Sequence, residues 1–492
     1  MSTDINKKKY IGISIGPIER ILGYAKSTRA IWASSYLFAY LGKQIAGTYF
    51  YKGHNRFLKP RITKEMFCQI DGIGRFPDQY IIETDESVAA VRNVCNSILD
   101  NLAQNIAKVL NVEQQVDDIA YYLKQVLRII IIEKTLSLDA EKVVQNLQDT
   151  LAIMECRDTY CAEETRNYLA DFFESTSTES LLYQDAFGQG RQGRLFETIL
   201  ECSAGEEGRQ YRKELLRDDI GKIQNTYQKY ITFVSADGDN FGKTMARLNN
   251  RVGNVFSEYN RVIRDIVDDY GGQVIYQGGD DILFFAPVYN KGKDIFQLIQ
   301  CIDATFNRIL DNNPDIRQMP LNQKPTLSYG VSISYYKFPM AEAKALSEDL
   351  LEEVKNVPKG TLKNKIRWKA RKHSGQLFGG MFDKNNLEQF EQCIQLIASS
   401  ILGKDSYLHS VTHWLNQQKP VLSSILKLDG NIRSIYLDNY VDNCFNEAEH
   451  QNFRSFLKAM KNCLLIFPQD KGIDALHRIL RYVDLLIKKE NV

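Results

Sequence analysis

The sequence lacks long hydrophobic runs. Its most apolar stretch, residues 129–132, is bounded by Arg128 and Glu133 and is far shorter than the roughly 18 apolar residues of a membrane-spanning helix. The amino-terminal Lys7-Lys8-Lys9 is not followed by an apolar run of signal-peptide length. These absences predict a protein without a membrane span or a secretion signal, for which the cytoplasm is the expected location.

An excess of charge of one sign is missing as well. The 492 residues include 62 basic and 61 acidic side chains, a formal net charge of +1. Bulk electrostatics therefore indicates no nucleic-acid or membrane partner, and any nucleic-acid contact must be local or shared with other subunits. Nine cysteines, an odd number scattered along a long chain, indicate reduced thiols rather than a secreted disulfide framework.

The pattern of strand and helix signals predicts an α+β fold. Between about residues 229 and 370 the order is β-α-α-β-β-α-β-α-β, which is typical of a ferredoxin-like palm sheet with helices on one face. A strand at residues 10–15, followed by two helices, could be a decayed second copy of the same unit. Residues 87–171 show helical periodicity without strand signals or proline, and residues 380–492 return to helical periodicity.

Two acidic loops carry the candidate chemistry. Asp237-Gly238-Asp239-Asn240 follows the first strand of the predicted palm, and Gly278-Gly279-Asp280-Asp281 is the tip of a predicted hairpin. Because that strand lies beside the hairpin in a palm sheet, Asp237 should converge with Asp280 and Asp281. Carboxylates this close repel one another unless a cation lies between them, and Mg²⁺ takes such ligands together with substrate phosphates. Paired ions of this kind stabilise the attacking and leaving oxygens in nucleotidyl transfer.

The residues around the carboxylates suit a triphosphate, because glycines let the backbone approach it and amides at a helix start bind phosphate oxygens. We assign this binding role to Gly238, Asn240, Phe241, Gly242, Gly278 and Gly279. Either loop alone would more often be a simple turn, but two acidic loops at palm-compatible spacing favour a metal site. A P-loop ending in Gly242-Lys243-Thr244 is rejected, because Asp237 stands where its first glycine belongs.

These loops also carry a family resemblance. Ala236-Asp237-Gly238-Asp239-Asn240-Phe241-Gly242 together with Gly278-Gly279-Asp280-Asp281 resembles the cyclase-like palm of the large subunit of type III CRISPR effector complexes. Ile13-Ser14-Ile15-Gly16-Pro17-Ile18 and Arg29-Ala30-Ile31-Trp32-Ala33-Ser34-Ser35-Tyr36-Leu37 look like its first palm in the Cmr branch. Arg371-Lys372-His373-Ser374-Gly375 is similar to a further family element. The resemblance covers about residues 8–50 and 228–378.

The resemblance implies a fold of two nucleotidyl-cyclase-like palms that bind ATP between them. Such subunits act with other Cmr-type subunits, and pairing of CRISPR RNA with target RNA triggers synthesis of an adenylate second messenger for antiviral defence. The messenger is a cyclic oligoadenylate or, in some lineages, an AMP conjugate of S-adenosylmethionine. By the motif match, Asp237, Asp280 and Asp281 would hold Mg²⁺ or Mn²⁺ and carry catalysis.

The predicted organisation has four parts. These are a first palm at residues 1–85, a mostly helical insertion at 86–227, a second palm at 228–378 and a C-terminal helical bundle at 379–492. The first palm has no acidic tetrad, since its nearest equivalent, Asp71-Gly72-Ile73-Gly74, has one carboxylate. We predict that it binds nucleotide or is structural, and is not itself catalytic.

Two departures from the family pattern bear on activity. The chain has six histidines and no His-Asp pair, so no HD nuclease activity is expected. The four-cysteine zinc site that is frequent between family palms is matched only by Cys156, Cys161 and Cys202, and three structural thiols are favoured over zinc.

Two alternative functions stay open at this point. A diguanylate cyclase also uses a Gly-Gly-acid-acid hairpin, although the tetrad here continues with Ile282 and no sensor domain is obvious. A non-catalytic scaffold of the effector complex is the other alternative, and the intact acidic loops count against it.

Overall fold

The structure is a computed structural model of the chain. The residues that it describes are 7–68, 73–157, 166–175, 180–188, 195–217, 219–223, 225–241, 244, 253–320, 323–358, 363–401, 406–445, 454–467 and 471–486. Within these ranges, none of the helices combines the length and the apolar character that crossing a membrane requires.

The described residues form strands and helices in alternating groups. The strands are β1 Lys8–Gly16, β2 Arg56–Lys59, β3 Gln79–Glu83, β4 Arg128–Leu136, β5 Tyr230–Asp239, β6 Gln273–Gly278, β7 Asp281–Pro287, β8 Tyr289–Asn290, β9 Lys293–Asp294, β10 Thr326–Tyr335, β11 Lys365–Arg371 and β12 Leu377–Asp383. The helices of the amino-terminal half are α1 Ile18–Leu22, α2 Thr28–Tyr51, α3 Lys64–Cys68, α4 Val88–Val109, α5 Val116–Val126, α6 Ala140–Glu155, α7 Tyr168–Glu174, α8 Leu181–Phe187, α9 Ile199–Ser203, α10 Glu206–Gln210 and α11 Arg212–Leu215. Those of the carboxy-terminal half are α12 Gly253–Tyr270, α13 Ile295–Asp311, α14 Pro314–Arg317, α15 Met340–Lys355, α16 Leu387–Ser400, α17 Ser406–Leu426, α18 Gly430–Cys444, α19 Arg454–Ile466 and α20 Gly472–Leu486.

The first palm is built on a four-stranded antiparallel sheet in the order β2-β3-β1-β4. Its central strand, β1, is apolar on both faces. Ile11 and Ile13 are fully buried in the main core with α2 and α4, whereas Tyr10 packs with Leu147 of α6 on the other face. Burial on both faces explains why this strand lies in the middle of the sheet.

Strand β4 lies within residues 86–227, which were predicted to be a mostly helical insertion without strand signals. It pairs with β1 over the whole length of that strand, from Lys8↔Leu136 to Gly16↔Arg128. The segment is a short apolar run between helices, and periodicity alone does not distinguish such a strand from part of a buried helix. The first palm therefore extends to Leu136 and includes α4 and α5. The start of the second palm at residue 228 stays a prediction.

The second palm is built on a six-stranded sheet in the order β12-β11-β10-β5-β7-β6. The predicted strands from β5 to β11 occur in the predicted order, and the α+β class is confirmed. The short strands β8 and β9 and the short helix α14 were not predicted, and the first of the two helices predicted after β5 falls largely outside the described residues. Strand β12 was not predicted: it pairs with β11 and ends at Asp383, beyond the predicted boundary at residue 378. Gly379 and Gly380 weaken its strand signal, because glycine has low β-propensity.

Helices cover both faces of this sheet, so the prediction of helices on one face is wrong. On one face, Phe296 of α13 packs edge-on against Trp368 of β11, with ring centroids 5.6 Å apart. On the other face, the Ser347 Oγ atom of α15 lies 2.8 Å from the Ser235 Oγ atom of β5. Trp368 and Ser235 pair with consecutive residues of β10, and consecutive strand residues face opposite sides.

A single glycine allows α15 to lie on the sheet. Gly330 of β10 is paired with Ser235, and a Cβ atom at this position would overlap the α15 backbone at Ser347 and Leu351. The helix backbone therefore packs directly on the strand backbone. This contact fixes where the carboxyl end of α15 lies relative to the carboxyl end of β5.

The other helices hold the two palms together. In the C-terminal bundle, Phe390 of α16 and Tyr482 of α20 pack against Phe296, with ring centroids 5.0 and 5.2 Å away. In the insertion, Phe187 of α8 stacks on Trp32 of α2 at 5.3 Å. One continuous hydrophobic cluster runs from the first palm through the second palm to the C-terminal helices.

Candidate functional site

The three predicted catalytic carboxylates meet at one corner of the second palm. Asp237 and Asp281 lie one residue beyond the ladder pair Ala236↔Ile282, and Asp280 occupies the turn of the adjoining hairpin. Each of the three residues offers a carboxylate oxygen, and these oxygens lie within 4.8 Å of one another. Direct pairing of β5 with β7 produces the convergence, which is why the motif spacing could predict it.

Glycines make this close approach feasible. Gly278 pairs with Asp281, and the loop between them starts with Gly279 at a φ of +67°, a position that favours glycine in a two-residue hairpin. A Cβ atom on Gly238 would lie 2.5 Å from an Asp280 carboxylate oxygen. A side chain at position 238 would therefore displace Asp280 from β5.

The predicted phosphate-binding loop starts at the end of β5. Asn240 is exposed and has a φ of +60°, and its carbonyl accepts a hydrogen bond from the Thr244 amide at 3.0 Å, as at the start of a helix. Phe241 is half-buried against the main core. Gly242, the remaining predicted member of this loop, lies outside the described residues.

The carboxylates of the hairpin resist ionisation in the absence of a cation. Burial and then repulsion by Asp237 raise the pKa of Asp280 to about 7. Desolvation, followed by repulsion from Asp237 and Asp280, raises the pKa of Asp281 to about 7. Asp281 as a residue is exposed, so charge repulsion is the cause that the geometry supports most directly. A hard divalent cation such as Mg²⁺ or Mn²⁺ fits this all-oxygen donor set.

Sequence reasoning missed a lysine in the site. The Nζ atom of Lys355, the last residue of α15, lies 2.7 Å from the Asp237 carboxylate and 2.8 Å from that of Asp239. Asp239 is buried, which works to raise its pKa, but Lys355 and the Ser328 hydroxyl outweigh burial and hold the pKa below its usual value. We call Asp237, Asp280, Asp281 and Lys355 the acidic corner.

The first palm has a corresponding corner with other residues. Ser14 of β1 pairs with Gln79 of β3, in the same way that Asp237 lies opposite Asp281. The side chains of Ser14 and Gln79 both donate hydrogen bonds to the carboxylate of Glu155. Glu155 is the last residue of α6, the helix that follows β4, just as Lys355 ends the helix that follows β10. We call Ser14, Gln79 and Glu155 the first-palm corner.

The loop that was predicted as the first palm's nearest equivalent of the tetrad contacts the second palm instead. Arg264 of α12 donates a hydrogen bond to the Ile73 carbonyl, and a Cβ atom on Gly74 would overlap the carbonyl of Gln277 in β6. Gly74 also has a φ of +71°. Asp71 and Gly72 lie outside the described residues.

The cysteines that were weighed as zinc ligands have different surroundings. Cys202 is buried in the main core, where its thiol donates to the Gly271 carbonyl at 3.6 Å, and Cys156 is exposed after α6. Cys161 lies outside the described residues.

Comparisons with known proteins agree with this architecture. The model of the Cas10/Cmr2 second palm domain matches residues 230–366, and that of the CRISPR-associated protein Cmr2 N-terminal domain matches residues 10–128. A search of curated proteins found no match.

Solved structures share the fold at low sequence identity. A type III-B Cmr-beta structure in the apo state is 10% identical with a TM-score of 0.57, over 87% of this chain and 76% of that chain. Type III-B Cmr-beta bound to cognate target RNA is 9% identical with a TM-score of 0.53, over 88% and 78% of the two chains. A Csm1-Csm4 cassette in complex with cA4 is 12% identical with a TM-score of 0.49, over 98% and 71%. The two family models and the two Cmr-beta structures confirm the two-palm fold and the family resemblance, and the chain belongs to the Cas10/Cmr2 family of type III CRISPR effector subunits.

Proposed function

We propose that the chain is a divalent-metal-dependent nucleotidyltransferase that makes an adenylate second messenger from ATP within a type III-B effector complex. The observation that carries this proposal is the convergence of Asp237, Asp280 and Asp281 within 4.8 Å at a palm hairpin. Three carboxylates at one point repel one another, and their arrangement is suited to metal-bound triphosphate.

The residues of the acidic corner have separate roles in this proposal. Asp237, Asp280 and Asp281 would hold Mg²⁺ or Mn²⁺, which when bound neutralises the triphosphate and lowers the pKa of an attacking 3′-hydroxyl. Lys355 supplies a positive charge next to Asp237. Gly238 leaves room for the Asp280 carboxylate. The proposed nucleotide contacts are Gly238, Asn240, Phe241, Gly242, Gly278 and Gly279.

The first palm is proposed to bind nucleotide or to be structural, without catalysis of its own. Its corner presents the neutral side chains of Ser14 and Gln79 where the second palm has Asp237 and Asp281. The carboxylates near this corner belong to Glu155 and to Asp78, which precedes Gln79, and among the described residues they are not part of a group of three that could hold a metal ion. Transfer would therefore take place at the second palm alone.

The partners that we propose are other Cmr-type subunits, CRISPR RNA and target RNA. Family membership supports this assignment, and type III-B Cmr-beta, which shares the fold, has been solved bound to cognate target RNA. Target RNA would act as the activator. The product would be a cyclic oligoadenylate or an AMP conjugate of S-adenosylmethionine.

Mass spectrometry of the products tests the proposal. The assembled complex is incubated with ATP, Mg²⁺ and target RNA, with and without S-adenosylmethionine, beside an Asp280→Ala/Asp281→Ala control. A product that requires target RNA and disappears in the control is expected. Absence of product, together with absence of ATP binding by calorimetry, would establish the scaffold alternative, and a product made from GTP alone would establish the diguanylate cyclase.

A further inference from the structure

Asp239 differs from the other carboxylates of the acidic loops because it is enclosed. It is 3% exposed, and its Oδ2 atom accepts hydrogen bonds from Thr326 Oγ1 at 3.0 Å, Ser328 Oγ at 2.7 Å and the Asn364 amide at 3.0 Å. Its Oδ1 atom accepts from Lys355 Nζ at 2.8 Å. These partners belong to β10, to the residue just before β11 and to α15, so the carboxylate is fixed from three sides.

The ammonium group of Lys355 has more acceptors than protons. Besides the carboxylates of Asp237 and Asp239, it contacts the carbonyl oxygens of Asp237 at 3.0 Å and Gly238 at 2.9 Å. Three N–H donors serve four oxygens. Asp239 is immobilised by its other partners, whereas Asp237 lies at the half-exposed metal-ligand position, so the Asp237 contact is the one that a substrate can replace.

We propose that Asp239 is a positioning residue, which fixes Lys355 beside the acidic corner for contact with the phosphate groups of the nucleotide and does not itself ligate the metal. The inference rests on the proposed function, since it assumes that a nucleotide binds at this corner. Among the described residues, Asp237, Asp280 and Asp281 form the potential metal-ligating group, and Asp239 is not part of it.

A double-mutant cycle on nucleotide affinity tests the coupling. Binding of ATP with Mn²⁺ to the full chain is measured by calorimetry for wild type, Asp239→Asn, Lys355→Met and the double variant. Asp239→Asn should weaken binding about tenfold, the effect of one charge-assisted hydrogen bond. In the Lys355→Met background the same substitution should cost less than about twofold, because the residue through which it acts is gone.

The competing explanations give other results. A purely architectural role predicts the same loss in both backgrounds, together with a lower melting temperature, and would overturn the proposal. A metal-ligating role predicts that Asp239→Asn weakens binding of Mn²⁺ alone as strongly as Asp237→Asn does, and would also overturn it. The proposal expects Asp237→Asn to abolish Mn²⁺ binding and Asp239→Asn to change it less than about threefold.

Two further variants keep the test decisive. Thr326→Val removes one hydrogen bond to Asp239 but keeps its charge, and should weaken ATP binding about twofold only when Lys355 is present. Lys344→Met, on the same helix and paired with Glu348, is the matched control without effect. If the wild type binds neither Mn²⁺ nor ATP, the proposed function is contradicted. If the wild type binds both and Asp239→Asn binds ATP with the same affinity, only the positioning role is contradicted.

Discussion

The acidic corner and the first-palm corner occupy the same place in two similar sheets but carry different arrangements of charge. In the second palm the carboxylates stand on the strands and the ammonium group on the following helix. In the first palm the paired strand residues Ser14 and Gln79 are neutral donors, and the carboxylates belong to Glu155 at the end of the helix and to Asp78, which precedes Gln79. The palm sheet thus supplies a rigid corner, while the identity of a few side chains decides whether that corner repels itself and attracts a cation.

The largest expected difference between the corners is in activity. Asp280→Asn/Asp281→Asn should lower product formation by the assembled complex about a thousandfold, because the neutral amides no longer hold a divalent cation. Glu155→Gln in the first-palm corner should lower it less than about tenfold. Initial rates with saturating target RNA measure both, and equal losses would contradict the assignment of catalysis to the second palm.

The two helix-terminal residues should differ in stability. Lys355→Met leaves the buried carboxylate of Asp239 without its counter-charge and should cost about 3 kcal/mol of unfolding free energy. Glu155 stands at a more exposed position, and Glu155→Gln should shift the melting temperature by less than about 1 °C. Urea unfolding and thermal scans of the two variants would show whether this asymmetry holds.

The packing of the last helix on each sheet offers a matched pair of glycines. In the second palm, the methyl group added by Gly330→Ala would overlap the backbone of α15, which cannot move aside as a side chain can. The substitution should lower the free energy of unfolding by about 3 kcal/mol. In the first palm, Gly12→Ala meets the side chains of Ile132 and Leu147, which adjust, and should cost about 1 kcal/mol. Similar costs in chemical denaturation would mean that both helices tolerate displacement equally.

The smallest effect concerns pH. The pKa of Asp280 is raised to about 7, by burial and then by Asp237, so its protonated form is favoured in the folded state. Without divalent cation, the stability that this protonated group contributes is fully present below its ordinary pKa and is lost as the pH rises through about 7. Without divalent cation, the melting temperature of the wild type should therefore fall relative to that of Asp280→Asn as the pH is raised from 5 to 8.

Addition of Mg²⁺ at pH 8 should reverse that loss in wild type, since cation binding stabilises the ionised carboxylates. The Asp280→Asn variant serves as its own control under the same conditions. An unchanged difference between the two proteins at pH 5 and pH 8 would contradict the raised pKa of Asp280.

Much of the second palm could be predicted because its signals are local. Few sheets accommodate the order in which the apolar strands, the glycines that end helices and the two acidic loops occur. Pairing of β5 with β7 then brings Asp237 next to Asp281. The class and the convergence of the carboxylates followed from the sequence. Strand β4 did not, because four isoleucines between helices fit a buried helix as well as a strand.

The contacts of Lys355 could not be predicted from sequence pattern. They depend on α15 lying directly on β10, which depends in turn on the missing side chain at Gly330. No local pattern distinguishes a lysine at the end of an amphipathic helix that reaches an active site from one that faces water. The same holds for Asp239, whose enclosure is produced by Thr326, Ser328 and Asn364 from distant segments.

The contact between Gly74 and Gln277 links the first palm to the catalytic hairpin. Gln277 immediately precedes Gly278 near the tip of that hairpin, and Arg264 holds the neighbouring Ile73 carbonyl. The first palm therefore touches the backbone two residues before the turn that carries Asp280. A displacement of the first palm would act on the hairpin through this backbone contact and not through the carboxylates themselves.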